Sequence, residues 1–331
     1  MLLFSKHRYA FAVSAVLLLG AAPRLWPQEV APSPPTPHSA EMPHSAEMLE
    51  RYGKPYVMVT INGKGPYRFI IDTGTGADAF VTPELASELQ LPNLALAVVS
   101  DPSHQGGERV PIVLLQSINL AGVEFSRVRA IVHTVTGEAG SCQGILGFTL
   151  FRDYLLTLDF PNRQVLLISG NLTPDGNKTV LPFRMPDGVP ITRLRVAGQS
   201  VEAQLDSGGS GLTLPELLAT HLKWDAAPVV FATGQTMTTR FAIKEARLSG
   251  DVKVARYTFD DPVVEIHPAF PLVNFGSPPM QTFAITFDQK SLLVRLQAKG
   301  TRFELTTPPS PTRLTNQPET LPVKPELIPI G

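Results

Sequence analysis

The sequence predicts an all-β protein with a few short helices, made of two homologous lobes that a pseudo-twofold axis relates. Three observations lead to this prediction. Short strand-like runs fill the middle of the chain, where only brief helical patterns occur. An apolar strand that ends in Asp-Thr-Gly or Asp-Ser-Gly occurs twice, and the landmarks around it recur in the same order. An internal repeat of this kind indicates two homologous structural units.

The N-terminal segment at 1–22 has the composition of an export signal. Lys6 and Arg8 precede an uncharged apolar run at 11–22, which has the length of a signal core and is short for a membrane-spanning helix of about 20 apolar residues. We expect 1–22 to be a signal peptide or an uncleaved N-terminal anchor. The protein is then exported, to a periplasmic or extracellular location, and an uncleaved segment would tether it to the membrane.

Proline-rich segments flank the central region. Residues 23–50 contain a duplicated hexapeptide, at 37–42 and 43–48, and predict a flexible linker. The C-terminal segment is rich in Pro, Thr and Lys without periodicity, which predicts disorder. The remaining predicted boundaries are an N-terminal lobe at 51–170, an inter-lobe linker at 171–177, a C-terminal lobe at 178–303 and a disordered tail at 304–331.

The first lobe shows its strands as apolar or alternating runs. The first two are joined by Asn62-Gly63-Lys64-Gly65, a tight-turn signal. The clearest helix is 83–89, with Thr82 as N-cap and proline at the first helical position. The predicted strands are 56–61, 67–71, 110–115, 128–133, 155–160 and 165–168.

The spacing of landmarks defines the repeat. The strand before Asp72 reappears before Asp206, and a Pro-Glu-Leu helix start follows each. Gly147 follows the first aspartate at nearly the same interval at which Gly276 follows the second. Each of these glycines is followed by a strand that ends in aspartate, and the interval from glycine to aspartate is the same in both copies. The two segments are therefore interpreted as copies of one unit.

The duplicated motif predicts a pair of carboxyl groups that face each other. A strand end aims each aspartate, and glycine permits the sharp turn behind it. Two carboxylates at short distance share one proton because both cannot ionise easily. The ionised group can then deprotonate a water, while the protonated group donates to a peptide carbonyl oxygen. We therefore predict Asp72 and Asp206 as the catalytic residues of an aspartic-type endopeptidase.

The residues 69–75, 205–208 and 144–147 resemble the aspartic proteases of the retropepsin and pepsin type, and bacterial retropepsin-like proteins above all. The resemblance implies two closed-barrel lobes fused in one chain. It implies that Thr73, Gly74, Thr75, Ser207 and Gly208 support the active-site loops. It also implies glycine-containing flaps that close over the substrate, and the matching positions are His104, Gly106, Gly107, Thr233 and Gly234.

The second lobe departs from the family pattern. Thr75 fits the position after the motif glycine, whereas Gly209 has no side chain that could donate to Asp206. We therefore expect Asp206 to carry the shared proton. The segment Ser277-Pro278-Pro279 also stands where the first lobe has a helix-like stretch at 148–154.

Two alternatives to the peptidase remain open. A catalytically inactive protein of the same fold would bind extended peptides in its cleft by strand-like hydrogen bonding. A serine protease would use Ser207, because 206–209 matches the Asp-Ser-Gly-Gly of such enzymes, with an upstream histidine as base. However, neither His104 nor His133 has the sequence context of that histidine, and this interpretation leaves the copy at Asp72 unexplained.

The overall composition limits the classes of binding partner that we expect. A net charge of −1 gives no electrostatic reason to expect nucleic acid. Cys142 is the one cysteine, so no internal disulfide can form. The histidines lack metal-ligand spacing, and the predicted chemistry needs no cofactor or metal. We expect a monomer whose substrate is a peptide or an unfolded protein.

Overall fold

The computed structural model describes residues 43–51, 53–99, 108–134, 142–235, 240–268 and 270–306. These residues belong to one compact unit, Glu41–Gly331. They form three sheets and a few short helices, which confirms the all-β prediction. No helix among them has the length and apolar character to cross a membrane. The lobe boundaries stay predictions.

The strands up to residue 182 belong to the first half of the described chain. They are β1 His44–Glu47, β2 Leu49–Arg51, β3 Lys54–Ile61, β4 Lys64–Asp72, β5 Ala79–Val81, β6 Asn93–Val99, β7 Glu108–Leu120, β8 Val123–Val132, β9 Gly144–Gly147, β10 Leu155–Asp159, β11 Gln164–Ile168 and β12 Val180–Pro182.

The later strands form the second half. They are β13 Ile191–Val196, β14 Gln199–Leu205, β15 Leu212–Pro215, β16 Val229–Gln235, β17 Arg240–Arg247, β18 Asp251–Val254, β19 Tyr257–Asp260, β20 Val263–His267, β21 Val273–Phe275, β22 Ala284–Asp288, β23 Leu293–Gln297 and β24 Arg302–Glu304. The helices are α1 Pro83–Glu88, α2 Glu216–Ala219 and α3 Ser277–Met280, with 3-10 turns at Phe148–Phe151 and Pro186–Gly188.

Two sheets share one strand order. The first runs β2-β3-β4-β9-β5-β8-β7-β6, and β3 also pairs with β7. The second contains β13-β14-β21-β15-β20-β17-β16 in the same sequence of neighbours, extended by β18, β19 and β24. The parallel pairs β4–β9 and β5–β8 correspond to the parallel pairs β14–β21 and β15–β20. That both sheets close into barrels stays a prediction.

A third sheet joins the two halves of the chain, in the order β1-β11-β10-β22-β23-β12. At its centre β10 and β22 are antiparallel, with Thr157 opposite Thr286 and their hydroxyl oxygens 2.8 Å apart. Both residues are buried. The buried hydroxyls satisfy each other, so a polar pair is accommodated inside an otherwise apolar layer.

Aromatic side chains pack the third sheet against the turn that follows β9. Phe148 contacts Phe287 edge to face, with 5.1 Å between the ring centroids. Its carbonyl oxygen accepts a hydrogen bond from the Gln289 side chain at 2.7 Å, and its N–H donates to the carbonyl of Thr75 at 2.9 Å. Residues after β22 therefore hold the turn that supports the first aspartate loop.

The first turn and the first helix form where the sequence predicts them. Asn62 and Gly63 have positive φ angles of 51° and 74°, as the predicted tight turn requires. Helix α1 begins where expected, and the Leu85 N–H donates to the Thr82 hydroxyl at 3.2 Å. β7 extends to Leu120 rather than ending at residue 115, because its second half pairs with β8.

The prediction of a flexible linker at 23–50 is wrong for its last residues. β1 pairs with β11, and β2 pairs with β3. In β1 half-buried and exposed residues alternate, and Met48 directly after it is buried in the core. The second hexapeptide therefore has the period-two pattern of an edge strand. The first copy, at 37–42, lies outside the described residues.

Ser277-Pro278-Pro279, which the sequence analysis set apart from the helix-like stretch of the first half, is helical as well. This segment forms helix α3, with proline in the first helical turn, where no backbone donor is needed. Its Ser277 N–H donates to the carbonyl of Gly209 at 3.1 Å. In the first half Phe148 and Thr75 make the corresponding bond.

Candidate active site

Asp72 and Asp206 stand at the ends of two equivalent strands. Asp72 is the last residue of β4, and Asp206 follows β14 directly. Their side chains are among the buried polar groups of the molecule, with relative exposures of 0% and 2%. Each strand is held by a parallel neighbour, β9 or β21, so the backbone leading to each carboxyl is fixed.

Each carboxyl group lies against the glycine of the opposite loop. A Cβ atom built on Gly74 would come 2.5 Å from Cγ of Asp206, and one built on Gly208 would come 2.6 Å from Cγ of Asp72. The absence of a side chain is therefore required at both positions. The two motifs are far apart in the sequence, and the fold brings them together in one site.

Two donors hold each carboxyl group. Oδ1 of Asp72 accepts from the Gly74 N–H and Oδ2 from the Thr75 hydroxyl, both at 2.8 Å. Around Asp206 the Gly208 N–H donates to Oδ1 at 2.9 Å. The amide Nδ2 of Asn274 donates to Oδ2 at 2.8 Å. Both acids are therefore fixed by a backbone N–H and by one side chain.

Hydroxyl groups brace the two loops across the site. The Ser207 hydroxyl donates to the Ile71 carbonyl at 2.7 Å and accepts from the Thr73 N–H at 3.0 Å. Conversely, the Thr73 hydroxyl donates to the Leu205 carbonyl at 2.7 Å and accepts from the Ser207 N–H at 2.9 Å. All four bonds are buried, so the two aspartate strands cannot separate without breaking them.

Burial raises the pKa of Asp206 well above its usual range. The adjacent Asp72 raises this pKa further through its charge and a side-chain hydrogen bond, whereas the Asn274 hydrogen bond lowers it. Because the two carboxyl groups interact, the observed titration belongs to the pair. The direction agrees with the expectation that Asp206 carries the proton. Gly209 itself offers no side-chain donor to Asp206, but Asn274 supplies one from the neighbouring strand.

Asn274 was not identified from the sequence. It lies in β21 opposite Gln204, at the position where the first half has Ile145 opposite Ile70. A polar residue in place of an apolar one, shortly before the landmark Gly276, was the available signal. Its meaning depends on the distance to Asp206, which the sequence does not contain.

The flap predictions are only partly within the described residues. Thr233 and Gly234 lie in β16, opposite Ala242 and Phe241 of β17. His104, Gly106 and Gly107 lie outside the described residues, between β6 and β7 in the sequence. The strand pairs β6–β7 and β16–β17 occupy the same place in the two sheets. The role of these positions as flaps stays a prediction.

The geometry argues against Ser207 as a nucleophile. Its side chain is fully buried, and its hydroxyl proton is donated to the Ile71 carbonyl. A serine nucleophile instead gives its proton to a histidine base. His133, one of the two histidines considered for that role, is hydrogen bonded to the carbonyl of Thr134.

The described residues offer no evident metal site. In the part of the chain that the structure describes, no group of three or more His, Cys, Asp or Glu side chains could hold a metal ion. What the site contains is a pair of acids with matched donors, which is suited to proton transfer.

The comparison with protein families agrees with this chemistry. Residues 57–150 match the family model described as Aspartyl protease. The matched segment contains Asp72 and ends before the second motif. No curated protein matched the chain. The family match, together with the strand-rich fold, supports an aspartyl protease family and a hydrolase activity on peptide bonds.

A substitution at Gly74 tests how closely the loops must approach. Gly74→Ala is expected to reduce peptidase activity by about 100-fold, since a displacement of about 1 Å at a reacting group has effects of this size. Gly300→Ala is the matched control, because a Cβ atom there would meet Phe303 at an ordinary contact distance of 3.4 Å. Activity of the Gly74→Ala variant equal to that of the control would contradict the close approach.

Proposed function

We propose that this protein is an aspartic-type endopeptidase that hydrolyses peptide bonds with a water activated between Asp72 and Asp206. The observation that carries the proposal is the mutual approach of the two carboxyl groups. Each is buried over the opposite glycine and held by two donors. Such an arrangement keeps both acids at fixed positions and forces them to share a proton.

The donors suggest which acid takes which role. The raised pKa of Asp206 keeps it protonated when Asp72 is ionised. The water oxygen attacks the carbonyl carbon while Asp72 takes a proton from the water. Asp206 gives its proton to the carbonyl oxygen. When the tetrahedral intermediate collapses, the C–N bond breaks and the leaving amine takes the proton held by Asp72. One hydroxyl of the intermediate returns a proton to Asp206 as the carboxyl product forms, so both acids regain their starting states. No covalent enzyme intermediate is involved.

We also propose the finer family type, two fused lobes like those of retropepsin-like and pepsin-like proteases. The common order of strands in the two large sheets supports an internal duplication. The reciprocal bonds of Thr73 and Ser207 support a pseudo-twofold relation between the loops. On this proposal each sheet forms a closed barrel, and a single chain supplies both halves of the site.

The substrate would be a peptide or an unfolded protein bound in extended form. The strand pairs β6–β7 and β16–β17 would act as flaps, and backbone bonding to an extended chain would provide affinity that depends little on sequence. The protein would be exported, to the periplasm or outside the cell, as a monomer, with the N-terminal segment as signal or tether.

The second candidate is a peptide-binding protein that has lost turnover. Its basis in the sequence is the departure of the second lobe from the family pattern, with Gly209 and Ser277-Pro278-Pro279 as the departing positions. The Asn274 amide donates to Asp206, and Ser277–Met280 is helical, so these two departures also fit an active enzyme.

The test is cleavage of a denatured protein by the full chain from pH 3 to 7, with and without a statine-type inhibitor. We expect inhibitor-sensitive cleavage whose upper pH limit lies above the usual range of a carboxyl group, because the raised pKa of Asp206 sets that limit. Above that limit the second proton is lost and activity falls. Peptide binding without cleavage at any pH would support the second candidate instead.

A further inference from the structure

The two acids receive their second donor from different parts of the fold. In the first loop Thr75 follows the motif glycine and donates to Asp72. The equivalent position in the second loop is Gly209, which follows the motif glycine Gly208 in the same way. There the donor comes from Asn274, on the neighbouring strand β21.

A side chain at position 209 and the amide of Asn274 would occupy the same space. A Cβ atom on Gly209 would lie 2.7 Å from Nδ2 of Asn274 and 3.0 Å from Oδ2 of Asp206. A hydroxyl-bearing residue at Gly209 would therefore collide with the Asn274 amide. The first loop has the reverse combination, because Thr75 is present and Ile145 stands at the position of Asn274. Each half of the site therefore has one side-chain donor for its acid, after the motif glycine in the first half and on the neighbouring strand in the second.

The surroundings of Asn274 give no packing reason for an amide. Asn274 is 3% exposed, and its Oδ1 has no hydrogen-bond partner among the described residues. A buried amide oxygen without a partner is unfavourable. An apolar residue at this position, as Ile145 is in the first half, would avoid that loss. The bond that the amide makes to Asp206 offers a reason for its presence.

We propose that Asn274 is a positioning residue that replaces the hydroxyl missing at Gly209, holding Oδ2 of Asp206 in place and stabilising its ionised form. The inference rests on the proposed function and deepens it, since it concerns the acid that would protonate the substrate. Of the two donors to the Asp206 carboxylate, only the Gly208 N–H remains when the Asn274 amide is removed. Asp206 should then hold its proton to a higher pH.

The experiment observes the titration of the pair at the Asp206 carboxyl carbon, so it does not depend on peptidase activity. The full chain is labelled with [¹³Cγ]aspartate and titrated by carbon-13 NMR, and the Asp206 resonance is identified by its loss in Asp206→Asn. In Asn274→Ala we expect the Asp206 midpoint to rise by about one pH unit, since a hydrogen bond to a charged group contributes about 1.5 kcal/mol or more. An unchanged midpoint overturns the inference.

A pair of double variants removes any effect of altered packing. Gly209→Ser with Asn274→Ile transfers the donor arrangement of the first loop to the second, and Gly209→Ala with Asn274→Ile differs from it by one hydroxyl oxygen. We expect the serine version to titrate near the wild type and the alanine version to titrate higher. Equal midpoints would mean that the donor is irrelevant, and they would also overturn the inference.

The control is Gln204→Ile, which changes the residue paired with Asn274 to its counterpart in the first half. Its Asp206 midpoint should stay at the wild-type value. If peptidase activity is present, the high-pH limit of kcat/KM should move with the NMR midpoint across these variants. If the wild type cleaves no peptide while the midpoints move as expected, the proposed function fails and the role of Asn274 stands.

Discussion

Asp72→Asn is expected to abolish peptidase activity while leaving the fold intact. The amide cannot take a proton from water, and the loss of one general base reduces rates by about 10²–10⁴-fold. We expect a loss at the upper end of this range, because Asp72 would act in both proton transfers of the reaction. The side chain keeps its shape, and it can still accept from the Gly74 N–H.

The measurement is kcat/KM on a quenched peptide substrate, together with thermal unfolding to verify the fold. Asp153→Asn is a suitable control, because Asp153 is exposed and its ion pair is with Lys290, 3.2 Å away. The control should retain wild-type activity. If Asp72→Asn cleaves the peptide at the wild-type rate, the activated water does not depend on this acid, and the proposed mechanism is wrong.

The pairing of the two acids could be predicted from the sequence because the aspartate motif and the landmarks after it occur twice. One Asp-Thr-Gly would indicate only a strand-ending turn. Two copies with near-equal spacing to a later glycine indicate that both strand ends have the same environment, and the structure brings Asp72 and Asp206 together. The helix at Thr82 was also predictable, because its cap is formed by residues that are close in the chain.

The features that were missed all depend on contacts between distant residues. His44–Glu47 has a composition that suits a linker, and it is a strand because β11 offers an edge with which it can pair. Asn274 becomes significant only through its distance to Asp206, a residue of a different strand end. Propensity and motif spacing describe neighbours in the chain, so they could not reveal either contact.

Ser207→Ala is expected to give the largest loss of stability among the substitutions considered. The Ser207 hydroxyl accepts from the Thr73 N–H and donates to the Ile71 carbonyl. Without it, both backbone groups remain buried and lose these bonds. An unsatisfied buried group is unfavourable by about 1–3 kcal/mol, so the free energy of unfolding should fall by about 2–5 kcal/mol. Typical domains have about 5–15 kcal/mol in total.

Ser207→Thr tests whether the hydroxyl itself is required, because threonine keeps the hydroxyl and adds only a methyl group. Thr73 makes the same two kinds of bond from the other loop, so threonine at position 207 should preserve both bonds and stay near wild-type stability. Ser249→Ala, which removes an exposed hydroxyl bonded to Asp225, should change stability by about 0.5 kcal/mol or less. Urea unfolding followed by circular dichroism measures all three variants. The two loops carry the acids, so a Ser207→Ala protein as stable as the Ser249→Ala control would mean that these crossing bonds do not hold Asp72 and Asp206 together.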